Sequence, residues 1–356
     1  MSKKIAIVCN YSLFPERIGG MDRFFVAFDQ KLKGENYYVD WFFTDYQAYD
    51  FYSSLNIKSA DNHEVTNFFL QETKHSQLKY DVLITHFVAL CIPFFKNVKS
   101  LGIKKTIAVD HNPRPLEGFP VSKIIKNKIK GIFYSRYIDQ FVGVSKYTKK
   151  HILTDFGSFL KNKTTVVYNG IDCEIYKKRT AVNFGKFIVT SHLRPSKGIQ
   201  DLILAVSFLP SELQKLLTID IFGEGPMELE LKRMVENKKL ESIFCFKGSS
   251  SDLNNIFCNY SFMIQPTYME CFSLSILESL SANVPVITTT VGGNLEVVTN
   301  HENGFIFEPS NVDDLLEILK KILQKNLKID QEISSLIDNY FHIDLMVENH
   351  FKLLRS

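Results

Sequence analysis

A series of short, continuously apolar runs limits what this chain can fold into. In the first half they lie at residues 5–9, 39–43, 82–85, 106–109, 141–144 and 164–168. The second half restarts the rhythm at 187–190, 218–222, 244–246, 262–264, 284–288 and 305–307. Runs that do not alternate with polar residues mark strands buried on both faces, as in a parallel sheet covered by helices. Helical patterns fill the gaps, at 21–32, 87–98 and 122–137, then at 199–209, 227–237, 274–280 and 312–323. A strand–helix series that stops and begins again predicts an α/β protein of two doubly wound domains. A chain of 356 residues has room for both. The polar stretch 177–184 reads as the linker, giving domains 1–176 and 177–340.

Charge divides along the same line. Residues 1–180 carry 27 Lys and Arg against 17 Asp and Glu, a net +10, whereas 181–356 carry 15 against 22, a net −7. A basic first half points to an anionic partner there. Nucleic acid is disfavoured, because no zinc-finger, RNP or basic-zipper pattern is present. The six cysteines are scattered, with no Cys-x-x-Cys pair, which argues against a disulfide framework and for a reducing cytoplasm. Residues 5–9 are too short an apolar run for a signal peptide, and no run approaches a membrane span.

The densest chemistry lies between Gln265 and Glu278, which reads as strand end, loop and helix start. Glu270 stands just before the helix, where a carboxylate implies a ligand with hydroxyls to donate. The helix N-terminus offers N–H groups that suit a phosphate. Acceptors for hydroxyls beside donors for phosphate are what a sugar nucleotide requires. Glu278, three residues after Ser275, also fits a capping box. Lys197 sits at another helix start, against the macrodipole; either its stem escapes to solvent or an anion lies between. Gly19-Gly20 precedes a helix and allows close backbone approach to a ligand, or is simply a turn. Gly223-Glu224-Gly225 is half a dinucleotide fingerprint without its third glycine, which disfavours a nicotinamide enzyme. His86, His111 and His192 end or follow strands, where ligand crevices lie in open sheets. No histidine pair has metal-binding spacing and no Asp-x-Asp occurs, so no metal is expected.

Glu270-x7-Glu278 is followed by Pro285-Val286-Ile287, Gly292-Gly293-Asn294 and Asn303-Gly304-Phe305. With Val142-Gly143-Val144-Ser145-Lys146 and Asn169-Gly170-Ile171-Asp172, these residues resemble the retaining glycosyltransferases of family 4 over nearly the whole chain. The resemblance implies the GT-B fold, with two Rossmann-like domains facing across a cleft. The first would bind the acceptor and the second the nucleotide sugar, and a C-terminal helix at 341–356 would pack back toward the first. It implies catalytic roles for Glu270 against sugar hydroxyls, Lys197 on the diphosphate, His111 near sugar and acceptor, and Arg194 near the phosphates. For donor binding it implies the amides of Gly19 and Gly20, then His192, Gly223, and Lys247 with Gly248 near the base. Amides of Phe272, Ser273 and Leu274 would face the distal phosphate, and Glu278 would hold the ribose. The chain departs from the family at His192, which holds the usual arginine position, at Cys271 and Ser273 in a Glu-Gly-Phe-Gly run, and at Asn283 for glycine.

The reaction implied is transfer from a UDP- or GDP-sugar to a hydroxyl of a glycan or lipid-linked acceptor, in bacterial cell-surface polysaccharide synthesis. The leaving diphosphate would be stabilised by fixed cations and amides, with no further cofactor. A nucleotide-sugar 2-epimerase and a non-catalytic sugar-nucleotide binder are the alternatives. Residues 121–136 mix lysines with apolar residues at helical spacing. Such a helix either lies on an anionic membrane surface or is an ordinary surface helix with one buried stripe. The first reading places the protein on the inner face of the cytoplasmic membrane.

Overall fold

The computed structural model describes residues 3–76 and 78–355. The chain forms two compact units, one of Met1–Gly170 with Ile343–Ser356 and one of Ile171–His342.

The first unit runs β1 (Lys4–Leu13), α1 (Gly20–Gly34), β2 (Tyr38–Tyr46), β3 (Ile57–Ser59), α2 (Val65–His75), β4 (Val82–His86) and α3 (Pro93–Ser100). It continues with β5 (Lys105–Asp110), α4 (Val121–Tyr134), β6 (Gln140–Gly143), α5 (Lys146–Phe156) and β7 (Thr164–Val166). Its seven strands are all parallel, in the order β3-β2-β1-β4-β5-β6-β7. One face packs Ala6, Val8, Phe42 and Leu83 against Phe69, Phe95 and Val98 of α2 and α3. On the other, Trp41 and Phe43 meet Phe25 of α1, and the Trp41 indole donates to buried Asp29 at 2.8 Å.

The second unit runs β8 (Lys186–Thr190), α6 (Ile199–Ser207), α7 (Ser211–Gln214), β9 (Thr218–Phe222), α8 (Glu228–Asn237), β10 (Phe244–Gly248), α9 (Leu253–Ile256) and β11 (Phe262–Gln265). Then come α10 (Leu274–Ser281), β12 (Val286–Thr289), β13 (Gly304–Phe307), α11 (Val312–Leu323) and α12 (Ser335–Tyr340). Its six parallel strands are ordered β10-β9-β8-β11-β12-β13. Helix α13 (Ile343–Lys352) belongs to the first unit. There it packs on α1 through Phe24 and Phe28 against His350 and through the Lys31–Glu348 ion pair.

Strand order reverses between β1 and β4 in the first sheet and between β8 and β11 in the second. Open α/β sheets bind ligands beyond the carboxyl ends of strands at such switch points. Gly19-Gly20 follows β1 and Phe87 follows β4; Lys197 follows β8 and Glu270 follows β11.

Three expectations need correction. The helix expected over 87–98 begins at Pro93, because Phe87 (φ 60°) and Cys91 (φ 52°) take the left-handed conformation and Pro93 starts the first turn. The stretch expected as a linker is packed onto the second unit. The Arg179 guanidinium is 8% exposed and donates to the Ser261 carbonyl at 2.8 Å, while its amide donates to Ala282. The chain therefore passes between units at 170/171 and 342/343, not at 176/177 and 340/341. Asn283, standing for glycine, is accommodated at φ 60° just past the end of α10, where Val284 N–H donates to Ser279 O. Asparagine is the usual second choice there.

Candidate active site

In the second unit the structure brings Lys197 and Glu270 together. Lys197 Nζ lies 2.9 Å from Glu270 Oε2, with the side chains 20% and 13% exposed. Two adjacent strands deliver them, and the backbone ties their loops: Tyr268 N–H donates to Ser196 O at 2.8 Å, and Thr267 Oγ1 donates to the same carbonyl. Gly198 (φ 69°) permits this approach, since a Cβ there would stand 2.8 Å from the Pro266 carbonyl carbon. The second oxygen of Glu270 accepts from Cys271 N–H at 3.0 Å. Glu270 therefore has a local backbone bond that sequence alone did not reveal. Gly292-Gly293 closes over it, with Gly293 N–H donating to Cys271 O.

The cap of α10 is Ser273, whose Oγ accepts from Ile276 N–H at 3.4 Å and from Gln265 Nε2 at 2.8 Å. The expected box of Ser275 and Glu278 is not the cap; Glu278 stands more than one turn inside the helix, out of reach of its start. Ser273 thus restores, by capping, order that a glycine would not supply at the same place. The Phe272 ring is 3% exposed and packs on Phe341, so any ligand role falls to its backbone. Leu274 and Ser275 open the helix, and first-turn amides have no intrahelical acceptor.

A second loop cluster lies beyond β8, β9 and β10. Gly223 N–H donates to Gly248 O at 2.8 Å, Leu193 N–H to Glu224 O at 2.9 Å, and Arg194 N–H to His192 O. These bonds gather Gly223, Gly248, His192 and Arg194 in one layer, with the His192 and Arg194 side chains exposed. Lys247 is drawn aside to Asp220, 3.6 Å away. Sequence reasoning missed Gln265, Thr190 and Ser191 at the carboxyl ends of β11 and β8. Their Oε1, Oγ1 and Oγ atoms are buried without a hydrogen-bond partner among the described residues. Buried polar atoms left unpaired at a strand end are a site signal, and it exists only in three dimensions.

The first unit assembles a different constellation. Gly19 N–H donates to Asp22 Oδ2 at 3.0 Å, so the amide expected to face a diphosphate is engaged within the cap of α1. Tyr11 and Tyr52 hydroxyls donate to the same carboxylate, at 3.0 and 2.9 Å. Burial raises the Asp22 pKa against the pull of these bonds. Gly20 begins the helix and leads its N-terminus. His111 is 6% exposed, and Phe87 stacks on it with centroids 4.1 Å apart and planes at 20°. Tyr11 stacks on Phe87 at 5.4 Å. A phenylalanine held at φ 60° is a strained outlier of the kind that gathers at ligand sites. Burial pushes the His111 pKa down to about 3, so the ring is neutral. The loop carrying it is pinned by Arg114, which donates to Asp155 at 2.7 Å and Asp110 at 3.0 Å.

Of the two readings of helix α4, the one with a buried apolar stripe does not hold. Its buried residues are Asn127 and Gly131, because Gly131 rests on Phe156, where a Cβ would lie 2.8 Å from the carbonyl carbon. Val121, Ile125, Ile129, Ile132 and Phe133 are instead 49–72% exposed. Beside them Lys128, Lys146, Lys149 and Lys150 line a cavity of about 520 Å³. Among the described residues, no helix is long and apolar enough to cross a membrane, and no cluster of three His, Cys, Asp or Glu could hold a metal ion.

Residues 18–175 match the family model described as Glycosyltransferase Family 4, and residues 174–335 the one described as Glycosyl transferases group 1. An uncharacterized glycosyltransferase of Methanocaldococcus jannaschii is 31% identical over 211 residues, 58% of this chain and 57% of that protein. The N-acetyl-alpha-D-glucosaminyl L-malate synthase of Bacillus anthracis is 28% identical over 169 residues, 43% and 44% of the two chains. The chain thus spans about half the length of these curated relatives. Among solved structures, Anabaena HepE in complex with UDP superposes with a TM-score of 0.78 at 17% identity, covering 99% of this chain and 100% of that one. The lipopolysaccharide outer core galactosyltransferase WaaB superposes at 0.72 with 16% identity, covering 99% of each.

Proposed function

The chain belongs to glycosyltransferase family 4 and has the GT-B fold, and we propose that it moves a sugar from a nucleotide-diphosphate sugar to an acceptor hydroxyl with retention of configuration. The observation that carries this reading is the Lys197–Glu270 pair beside the open N-terminus of α10. A diphosphate entering there meets a cation and helix amides, and the sugar it carries meets a carboxylate. As the glycosidic C–O bond breaks, charge grows on the phosphate oxygen. Donors fixed beforehand stabilise that charge without reorganising. The same oxygen takes the acceptor's proton as the new C–O bond forms on the face just vacated, so configuration is kept and no side-chain nucleophile is required. Glu270, already held by Cys271 N–H, orients sugar hydroxyls, and Glu278 holds the ribose. His192 and Arg194 lie in the layer flanking the diphosphate, with the base near Gly223 and Gly248. UDP is favoured over GDP as the carrier, because HepE is known with UDP and with UDP-glucose.

The acceptor is an anionic glycan or lipid-linked glycan presented at the inner membrane face, as in cell-surface polysaccharide synthesis. The apolar face of α4 and the adjoining lysine-lined cavity support this, since one suits acyl chains and the other phosphate. Incubation with a panel of nucleotide sugars, with and without lipid-extract acceptors, tests the reading. Free nucleotide formed only with acceptor, and a product NMR coupling that matches the donor anomer, are expected. Donor isomerised without acceptor, or an inverted product, would sink it. Sedimentation with vesicles containing phosphatidylglycerol tests the membrane part: binding should weaken with salt, and no binding at low salt would remove it.

A further inference from the structure

Ser273, at the start of α10, has its side-chain oxygen fully engaged as an acceptor. A serine hydroxyl offers two lone pairs and one proton. Ile276 N–H occupies one lone pair at 3.4 Å and Gln265 Nε2 the other at 2.8 Å. Gln265 and Ile276 are 3% and 1% exposed, so both bonds come from the interior, one from the end of β11 and one from within the helix. The hydroxyl proton therefore points away from the interior, to the side where first-turn amides of α10 have no intrahelical acceptor. Among the described residues nothing accepts that proton. With Ser273 only 7% exposed, little water reaches it, and a buried donor left unmatched opposes folding.

Gln265 is held firmly and is itself incompletely satisfied. Its backbone carbonyl accepts from Thr288 Oγ1 at 3.0 Å, and Asn294 Nδ2 donates to that same hydroxyl at 3.1 Å, which anchors the residue to β12. Its side-chain Oε1 is buried without a partner among the described residues, as are Thr190 Oγ1 and Ser191 Oγ at the end of β8. Desolvating that oxygen works against stability. A leucine at this place would avoid the penalty. What the amide supplies in return is the bond to Ser273, which no apolar side chain could make.

We propose that the Ser273 hydroxyl is itself a phosphate-binding group, donating its proton to an oxygen of the distal phosphate of the nucleotide diphosphate, and that Gln265 is the positioning residue that aims it. This rests on the diphosphate lying at the N-terminus of α10, as proposed above. The backbone amides there are donors that any sequence would provide. The hydroxyl adds a donor whose direction this chain sets through a second residue. A cap serine with a lone pair to spare can turn its proton several ways, whereas one with both lone pairs filled has a single direction left. Negative charge grows on the phosphate as the sugar departs, so a donor fixed in advance gains strength in the transition state. A mononucleotide has no distal phosphate and draws nothing from this group.

The test is calorimetric titration of the full chain with UDP and UMP, with GDP and GMP run alongside. Ser273→Gly removes the hydroxyl and keeps a residue well tolerated at a helix start. It should weaken diphosphate binding on the order of 10- to 100-fold and leave monophosphate binding unchanged. Gln265→Leu should weaken diphosphate binding by a smaller factor, again sparing the monophosphate, and should add nothing in the Ser273→Gly background. Equal loss for both nucleotides in Ser273→Gly would reduce the residue to a structural cap and overturn the proposal, as would unaltered diphosphate binding. Additive losses in the double variant would overturn the positioning role of Gln265. A wild-type chain that binds UDP no better than UMP, and GDP no better than GMP, would instead refute the diphosphate site on which the inference rests. Should Gln265→Leu fail to fold, the Ser273→Gly comparison still decides whether the hydroxyl binds phosphate, and Ser273→Ala repeats it.

Discussion

Gly292→Ala should damage the site through the backbone of Glu270. Gly292 sits at φ 68°, and an added Cβ would stand 2.7 Å from the carbonyl carbon of Glu270. Carbon atoms pack at about 3.5 Å, so the Glu270 backbone must retreat by roughly 0.8 Å. The left-handed conformation adds about 1–2 kcal/mol for a residue with a Cβ. A loss near 2 kcal/mol in a unit of this size corresponds to a fall of about 4–8 °C in melting temperature. A misplacement approaching 1 Å at a reacting group costs about 100-fold in rate, or ~2.7 kcal/mol. The assay is donor-dependent nucleotide release, with melting followed in parallel. Gly102→Ala is the control, because Gly102 has φ 84° and nothing within 4 Å of an added Cβ. It should lose comparable stability and keep full activity. Wild-type kcat and donor KM in Gly292→Ala, or equal activity loss in Gly102→Ala, would refute the reasoning.

Lys197→Ala and Glu270→Ala should each lower turnover by about 10²–10³ while circular dichroism shows the fold retained; wild-type turnover in either would contradict the site assignment. Replacing exposed Ile132 and Phe133 on α4 by aspartate should abolish vesicle binding and leave melting temperature within about 1–2 °C, because neither side chain is buried. Gly131→Leu should instead detach α4 from α5, seen as protease cleavage within 121–134, since its side chain would enter the Phe156 backbone. For pH, His86, His111 and His350 have folded pKa values below the ordinary value of about 6.5. Between pH 6.5 and about 4 the unfolded chain therefore binds more protons, so the stability of the first unit rises with pH and is lost on acidification. Thermal melts from pH 7 to 5 should show this, with a shallower slope in His350→Phe; an unchanged slope would count against the burial of that ring.

What could be read in the sequence was set by burial. Each strand of the two sheets except β3 was announced by a run such as 82–85 or 218–222, because a strand covered on both faces must be apolar throughout. The short edge strand β3 is half-exposed, and Ile57-Lys58-Ser59 carries no such signal. Glu270 and Lys197 were legible as polar groups at helix starts, but their pairing depends on two loops brought together by neighbouring strands. The fold of α4 was legible and its orientation was not. An isoleucine-rich pattern fits a buried stripe as well as an exposed one, and only Gly131 on the Phe156 backbone turns that stripe outward. His350 lies in a helix with nothing in its own neighbourhood to connect it with His86 of β4, yet the packing of α13 on α1 brings the two ring centroids to 5.6 Å.

That packing bears on how the protein is made. The second unit is one unbroken stretch, whereas the first is completed by a helix that leaves the ribosome some 170 residues after the rest of it. Until then Phe24, Phe28 and the interior nitrogen of His86 lie under a missing cover. Domains that emerge whole fold as they are synthesised; here the earlier half must wait, unsealed, while the later half folds. The last helix therefore acts as a closing step in biogenesis, and a nascent chain stalled before residue 343 would present an apolar surface to chaperones that the finished protein never shows.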